Sequence, residues 1–242
     1  MQQTHKLRFT VLLVFTILTF VGCTATTQQN TNDLAITNSN DSAELGTQEN
    51  LEESNSSSSI ITPEAMATKD PSNFQQWEES PANQLTEGKS YFAVLKTNLG
   101  DIKIELDAET RPVTVNNFVF LSKEGFYDGV IFHRIIPNFM AQGGDPTGTG
   151  MGGPGYQFED EIDDENSNAP YTISMANAGP GTNGSQFFIN FVDNGYLNTA
   201  HTVFGTVIEG KEVVDTMNGV QTDFKDKPVD PIVIQSVVIE EV

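Results

Sequence analysis

The chain has 242 residues, a formal net charge of −21 and one cysteine, Cys23. So acidic a balance lacks the electrostatic footprint of a nucleic-acid binder. A lone cysteine excludes an intramolecular disulfide and any thiolate chemistry beyond residue 23, and three histidines (His5, His133, His201) are too few for a histidine-rich metal site. Residues 24–60 are mostly Thr, Asn, Gln, Ser and Glu, whereas glycines and aromatic residues concentrate after Tyr91. One globular domain follows, of roughly 150–170 residues, enough to bury about two-thirds of its unfolded surface.

The first residues read as an export signal. Lys6 and Arg8 precede Phe9–Gly22, an uncharged apolar run of 14 residues. A spanning helix needs about 20, so residues 1–22 are expected to be a signal peptide rather than a permanent span. The run ends in Phe20-Val21-Gly22-Cys23, which resembles a bacterial lipobox, with Phe20 where leucine is usual. That resemblance implies lipidation at Cys23 and a lipid-anchored, extracytoplasmic protein at the cell membrane. The alternative is an ordinary secretory signal with a chance cysteine. Stable anchoring takes two or more acyl chains.

Residues 23–62 carry the lipidated cysteine and a polar low-complexity stretch, including Ser56–Ser59, that cannot bury enough apolar area to order itself. As a flexible tether of this length it spans about 30–40 Å root-mean-square. Residues 63–88, which hold Phe74 and the sole tryptophan, Trp77, are expected to pack on the domain edge. The domain itself is placed at 89–242.

Tyr91–Asn98 and Ile102–Leu106 alternate apolar and polar residues around a Gly100-Asp101 turn, which predicts a hairpin. Pro112–Lys123 predicts a helix, with proline in the first turn, Val115, Phe118, Val119 and Leu121 inward and Gly125 as its stop. Strand-like runs follow at Val130–Ile135, Phe139–Gln142, Thr172–Met175, Phe187–Phe191, Thr202–Ile208 and Ile232–Glu240. Lys211–Met217 predicts a second helix with Val213, Val214 and Met217 inward. Many short strands with two helices point to an antiparallel barrel or sandwich carrying helical caps.

Two motifs invite chemistry and fail on context. Gly148–Gly153 matches GxGxxG, but Pro154 and Gly155 follow where a dinucleotide-binding helix should begin. Glu159–Glu165, EDEIDDE, lacks the alternating ligands and central glycine of a calcium loop and reads as a solvated acidic turn. No GxSxG elbow is present, and His133 adjoins Arg134, whose charge depresses imidazole basicity.

Four segments carry a resemblance: FHRIIPNFMAQGGDPTGTG from Phe132, FEDE from Phe158, SMANAGPGTNGSQFFI from Ser174 and HTVFGTVIEG from His201. In order from about Tyr91 to Val242 they resemble the cyclophilin family of peptidyl-prolyl cis/trans isomerases. The resemblance implies a mainly β fold, a closed eight-stranded antiparallel β-barrel capped by two α-helices. It puts the family's catalytic arginine on Arg134 and its proline pocket on Phe139, Met140, Phe188 and Leu197, with His201 at the edge. Peptide-backbone contacts fall on Gln142, Ala176, Asn177, Ala178 and Gln186. Tyr196 stands where many eukaryotic members have tryptophan, which implies weakened cyclosporin binding. The loop from Gly148 to Phe158 is shorter than in many relatives. No cofactor or metal is implied, the partners are proline-containing polypeptides, and a monomer is the default in the absence of a long apolar repeat.

Rotation about an X–Pro bond must break amide resonance, a barrier of about 18–20 kcal/mol, yet needs no covalent step. A guanidinium N–H can donate to the twisted nitrogen's lone pair and not to the planar one, so Arg134 would bind the transition state differentially, with Gln142 orienting it. Two classes of function therefore stand open on the sequence: an isomerase assisting exported proteins, favoured by retention of the arginine, and a module that only binds proline-containing segments.

Overall fold

Two alternating segments open the globular part of the computed structural model, which describes residues 74–242. Strand β1, Tyr91–Thr97, pairs antiparallel with β2, Gly100–Leu106, across the two-residue turn Asn98-Leu99; the expected Gly100-Asp101 turn is corrected, because both residues already pair with β1. Tyr91, Ala93, Leu95, Ile102, Ile104 and Leu106 are all buried, so the alternation read in the sequence is the inward-facing pattern of this hairpin. Helix α1, Pro112–Lys123, follows, then β3, Arg134–Ile136, β4, Met140–Gly143, β5, Thr172–Met175, β6, Phe187–Asn190, β7, Val203–Glu209, helix α2, Lys211–Asn218, and β8, Ile234–Glu241. The expected signal segment (1–22), the Cys23 anchor and tether (23–62) and the first part of the extension (63–73) lie outside the described residues.

The eight strands form one antiparallel sheet in the order β3-β4-β6-β5-β7-β2-β1-β8, curled on itself. The expected closed barrel is corrected to an open one, because the end strands β3 and β8 do not pair with each other as strands. The segments leading into them meet instead: Ile131 and Val233 make an isolated bridge. Around it, Gly129 N–H donates to Ile234 O (2.8 Å), Ile234 N–H to Val130 O (2.8 Å) and Phe132 N–H to Ile232 O (2.9 Å). Beyond it the Ile135 N–H turns to Asp226 O at 2.7 Å, while Pro231 faces the other way, its carbonyl accepting from Asn98 Nδ2 at 3.0 Å. The expected strand Val130–Ile135 is for that reason a bridge followed by the three-residue β3.

Phe118 on α1 is the hub of the core, with Tyr127, Phe204 and Phe187 at ring-centroid distances of 5.1, 5.4 and 5.7 Å. The helix is covered on more than its predicted apolar side. Asn116 Nδ2 donates to Pro81 O and Ala82 O while its Oδ1 accepts from Gln84 N–H (2.8 Å), so residues 81–84 lie against it. Arg111 gives α1 no side-chain cap. Glu161 supplies one from a distance, accepting from the N–H groups of Val113 (3.1 Å) and Thr114 (2.8 Å), where a carboxylate also suits the helix dipole. Arg111 is buried and forks onto Asp163 at 2.7 and 2.6 Å. The acidic run thus does more than sit in solvent: two of its members fasten the start of α1.

Asp145, just past β4, is buried and organises the next loop. Its carboxylate accepts from the N–H groups of Thr147 (2.7 Å), Thr149 (3.0 Å) and Gly150 (2.6 Å) and from the Thr147 hydroxyl. The glycine-rich stretch therefore wraps an internal anion instead of a phosphate. Burial pushes the Asp145 carboxyl up, but the Thr147 hydroxyl and the N–H groups of Thr147, Gly152 and Gly150 outweigh it and hold the carboxyl below its usual value. A depressed folded value contributes stability that is complete above the unfolded value, about 4, and is lost as pH falls through the folded one. Asp145→Asn is expected to cost about 1–3 kcal/mol at pH 7, with the deficit shrinking toward pH 3. Thermal melts at the two pH values check this, and an equal deficit at both would contradict the role given to the carboxylate.

Candidate functional site

The register of three short strands sorts side chains onto two faces. Arg134 of β3 pairs with Gln142 of β4, and Gln142 pairs with Phe188 of β6. One residue along, Ile135 pairs with Ala141, Ala141 with Ile189 and Ile189 with Ile173 of β5. That second row is fully buried. Because successive residues point to opposite faces, Arg134, Gln142 and Phe188 share the other face, and Met140, two residues from Gln142, shares it too.

Around this row the apolar groups form two ring contacts. Phe139, at the β3–β4 turn, stacks on Tyr196 with centroids 6.2 Å apart and planes 24° from parallel. Tyr196 is 71% exposed and lies with Leu197 on a 3₁₀ turn, Gly195–Leu197. Phe188 meets His201 edge-on at 5.4 Å. His201 Nδ1 lies 2.9 Å from Met175 O. A carbonyl only accepts, so Nδ1 carries the proton and Nε2 faces the other way. The ring is thereby fixed beside Phe188. His133 is turned inward, with no hydrogen-bond partner at Nδ1 among the described residues. Burial, chiefly, lowers its basicity; Asp145 opposes and Arg134 and Lys227 assist, so proximity to Arg134 is a minor cause.

The amide groups form the neighbouring half of the site. Gln142 Nε2 donates to Gln186 Oε1 (3.0 Å), and Gln186 Nε2 donates to Gly150 O (3.0 Å) and Gly152 O (2.9 Å). Ala176 N–H donates to Gln186 O, and Ala178 N–H to Thr182 Oγ1. Asn177 Nδ2 is committed to Ala200 O (2.8 Å) and Asp160 Oδ1 (3.3 Å). These residues line a cavity of about 610 Å³ that continues from Gln142. Arg134, Phe139, Met140, Gln142, Phe188, Tyr196, Leu197 and His201 thus flank one end of a groove, and Ala176, Asn177, Ala178 and Gln186 the other. Cys23 lies outside the described residues.

Gln142 faces Arg134 across the ladder, but its amide N–H is given to Gln186. The group against Arg134 is Asp226, with Oδ2 3.6 Å from Nε. Both side chains are a little over two-fifths exposed. Asp226 is held there by two backbone features: its carbonyl accepts from Ile135 N–H, and it adopts a left-handed φ of 63° in a turn stapled by Asp223, which accepts from Lys225 and Lys227 N–H. Asp226 was not among the sequence candidates. Its TDFKDKP context reads as a charged surface turn, and 92 residues separate it from Arg134.

A family model described as cyclophilin type peptidyl-prolyl cis-trans isomerase/CLD matches residues 92–239. Peptidyl-prolyl cis-trans isomerase A of Mycobacterium tuberculosis is 50% identical over 165 residues, covering 61% of this chain and 91% of the relative. Peptidyl-prolyl cis-trans isomerase ppi1 of Schizosaccharomyces pombe is 51% identical over 144 residues, covering 58% and 93%. Among solved structures, a Cryptosporidium parvum cyclophilin type peptidyl-prolyl cis-trans isomerase is 41% identical with a TM-score of 0.61, covering 62% of this chain and 98% of that one. The same protein was also solved in the presence of the dipeptide Ala-Pro, with 42% identity and a TM-score of 0.60. The chain belongs to the family of cyclophilin type peptidyl-prolyl cis-trans isomerases.

Proposed function

We propose that this chain isomerises X–Pro bonds in exported or surface proteins and so assists their folding outside the cytoplasm. The observation that carries the reading is the shared row of Arg134, Gln142 and Phe188, a cation beside an apolar floor with an amide between them. A proline ring seated on Phe139, Met140, Phe188 and Leu197 presents its nitrogen near Arg134. As the amide twists, that nitrogen regains a lone pair and accepts from the guanidinium, an interaction made only in the transition state. Asp226 holds the Nε side, which leaves the terminal amino groups for the substrate. Gln186 and Gln142, locked to each other, grip the peptide backbone beside the bond. No nucleophile or proton transfer is needed.

The export role rests on the apolar run Phe9–Gly22 ending at Cys23. On this reading acylated Cys23 anchors the protein and the polar stretch that follows lifts the isomerase off the membrane. Tyr196, mostly exposed on Phe139, makes a smaller platform than an indole, so cyclosporin would bind weakly.

Arg134→Ala is expected to lower kcat/KM on a short X–Pro peptide at least tenfold with unchanged circular dichroism; turnover near that of the wild type would remove Arg134 from the mechanism. Asp226→Asn should cost two- to fivefold, in line with about 0.4–1 kcal/mol for an exposed pair, and the loss should shrink in high salt. In cells fed labelled palmitate, the wild-type chain should take up label and Cys23→Ser should not. Equal labelling of both would rule out the lipid anchor.

A further inference from the structure

The cavity beyond Gln142 and Gln186 has a wall that the family match does not include. Gln76 lines it, ahead of the matched residues 92–239. The segment carrying Gln76 has neither helix nor strand, yet three contacts fix it to the groove's edge. Trp77 N–H donates to Pro154 O at 2.8 Å. The Trp77 indole packs on Phe120 and Phe126, with centroids 5.1 and 5.9 Å away. The Gln76 carboxamide reaches Gly153 O at 3.4 Å. Gly155 is what permits so close an approach: its φ is 96°, and a Cβ there would stand 2.5 Å from Trp77 O.

The cavity adjoins the reacting row. Gln142 lies opposite Arg134 in the ladder and also lines the cavity. Neighbouring strands are about 4.7–4.9 Å apart and an extended chain rises about 3.3 Å per residue, so a side chain two or three residues from the X–Pro bond reaches the cavity. In a chain of net charge −21, no charged side chain among the described residues lines it. The lining of Gln76, Met151, Tyr156, Ala176 and Thr182, among others, suits a neutral side chain.

We propose that Gln76, anchored by Trp77, is a specificity-determining residue that closes a subsite for a neutral side chain flanking the X–Pro bond. The inference rests on the isomerase reading above. It makes the segment before the family domain part of the substrate site as well as a connector. Selectivity would then differ from that of relatives in which nothing occupies this edge.

The test uses the full chain and two substrates: a blocked X–Pro peptide with no flanking residues, and a longer one with three neutral residues on each side. Gln76 is exposed, so Gln76→Trp should fold, and its melting temperature verifies that it does. The larger side chain should narrow the cavity and lower the ratio of kcat/KM for the long peptide to that for the short one by at least fivefold. A ratio within twofold of wild type, in a folded variant, overturns the inference alone. If the wild-type chain turned over neither peptide, the isomerase reading would fail and take this inference with it.

Discussion

The pairing of β4 with β6 is the constraint on which the rest of the site depends. Met140–Gly143 lies against Phe187–Asn190 so that Ala141 and Ile189 complete the core while Gln142 and Phe188 face out. A slip of one residue would exchange the two rows, burying a carboxamide and exposing isoleucine. Burial of Ile135, Ala141, Ile189 and Ile173 therefore does two things at once. It stabilises the sheet, and it fixes which face carries Arg134. Strands β3, β4, β5 and β6 are only three or four residues long, too short to be stable without that apolar row beneath them.

From this row outward, position passes through polar groups that are themselves occupied. Asp145 folds the glycine-rich loop around its carboxylate, and that loop presents the carbonyls of Gly150 and Gly152 to Gln186. Gln186 in turn fixes Gln142. Asp160 ties Asn177, Gly181 and Asn183 together on the opposite bank. A groove whose amides are already bonded loses little freedom when a peptide arrives. Acidic residues that looked like surface charge are spent in this way, on a helix start, an arginine and two loops, while no charged side chain among the described residues lines the cavity.

Legibility followed sequence distance. Amphipathic periods, helix punctuation by Pro112 and Gly125, and the hairpin at Gly100 are local signals, and the elements formed close to their expected bounds because propensity and burial agree there. Barrel closure was misread, since whether the sheet's end strands, β3 and β8, pair depends on where Asp226 meets the chain near β3, a matter of three-dimensional approach. Glu161 at the start of α1 and Asp226 beside Arg134 were missed for the same reason. Each is an ordinary acid in a polar stretch, and its role exists only opposite a partner 47 or 92 positions away.

By itself the sequence determined that a β-rich stretch follows a polar one, that no cysteine lies beyond residue 23, and that Arg134, Phe139, Gln142, Gln186 and Phe188 are the candidate groups. Their types and spacings survive in the linear order because each strand's face is set by a period of two. Only the tertiary structure decided which acid meets Arg134, where Gln142 directs its amide, that the curled sheet stays open between β3 and β8, and that Gln76 borders the groove. Those relations come from packing between segments far apart in the chain, and no local pattern encodes the partner of a side chain that finds it only when the core has closed.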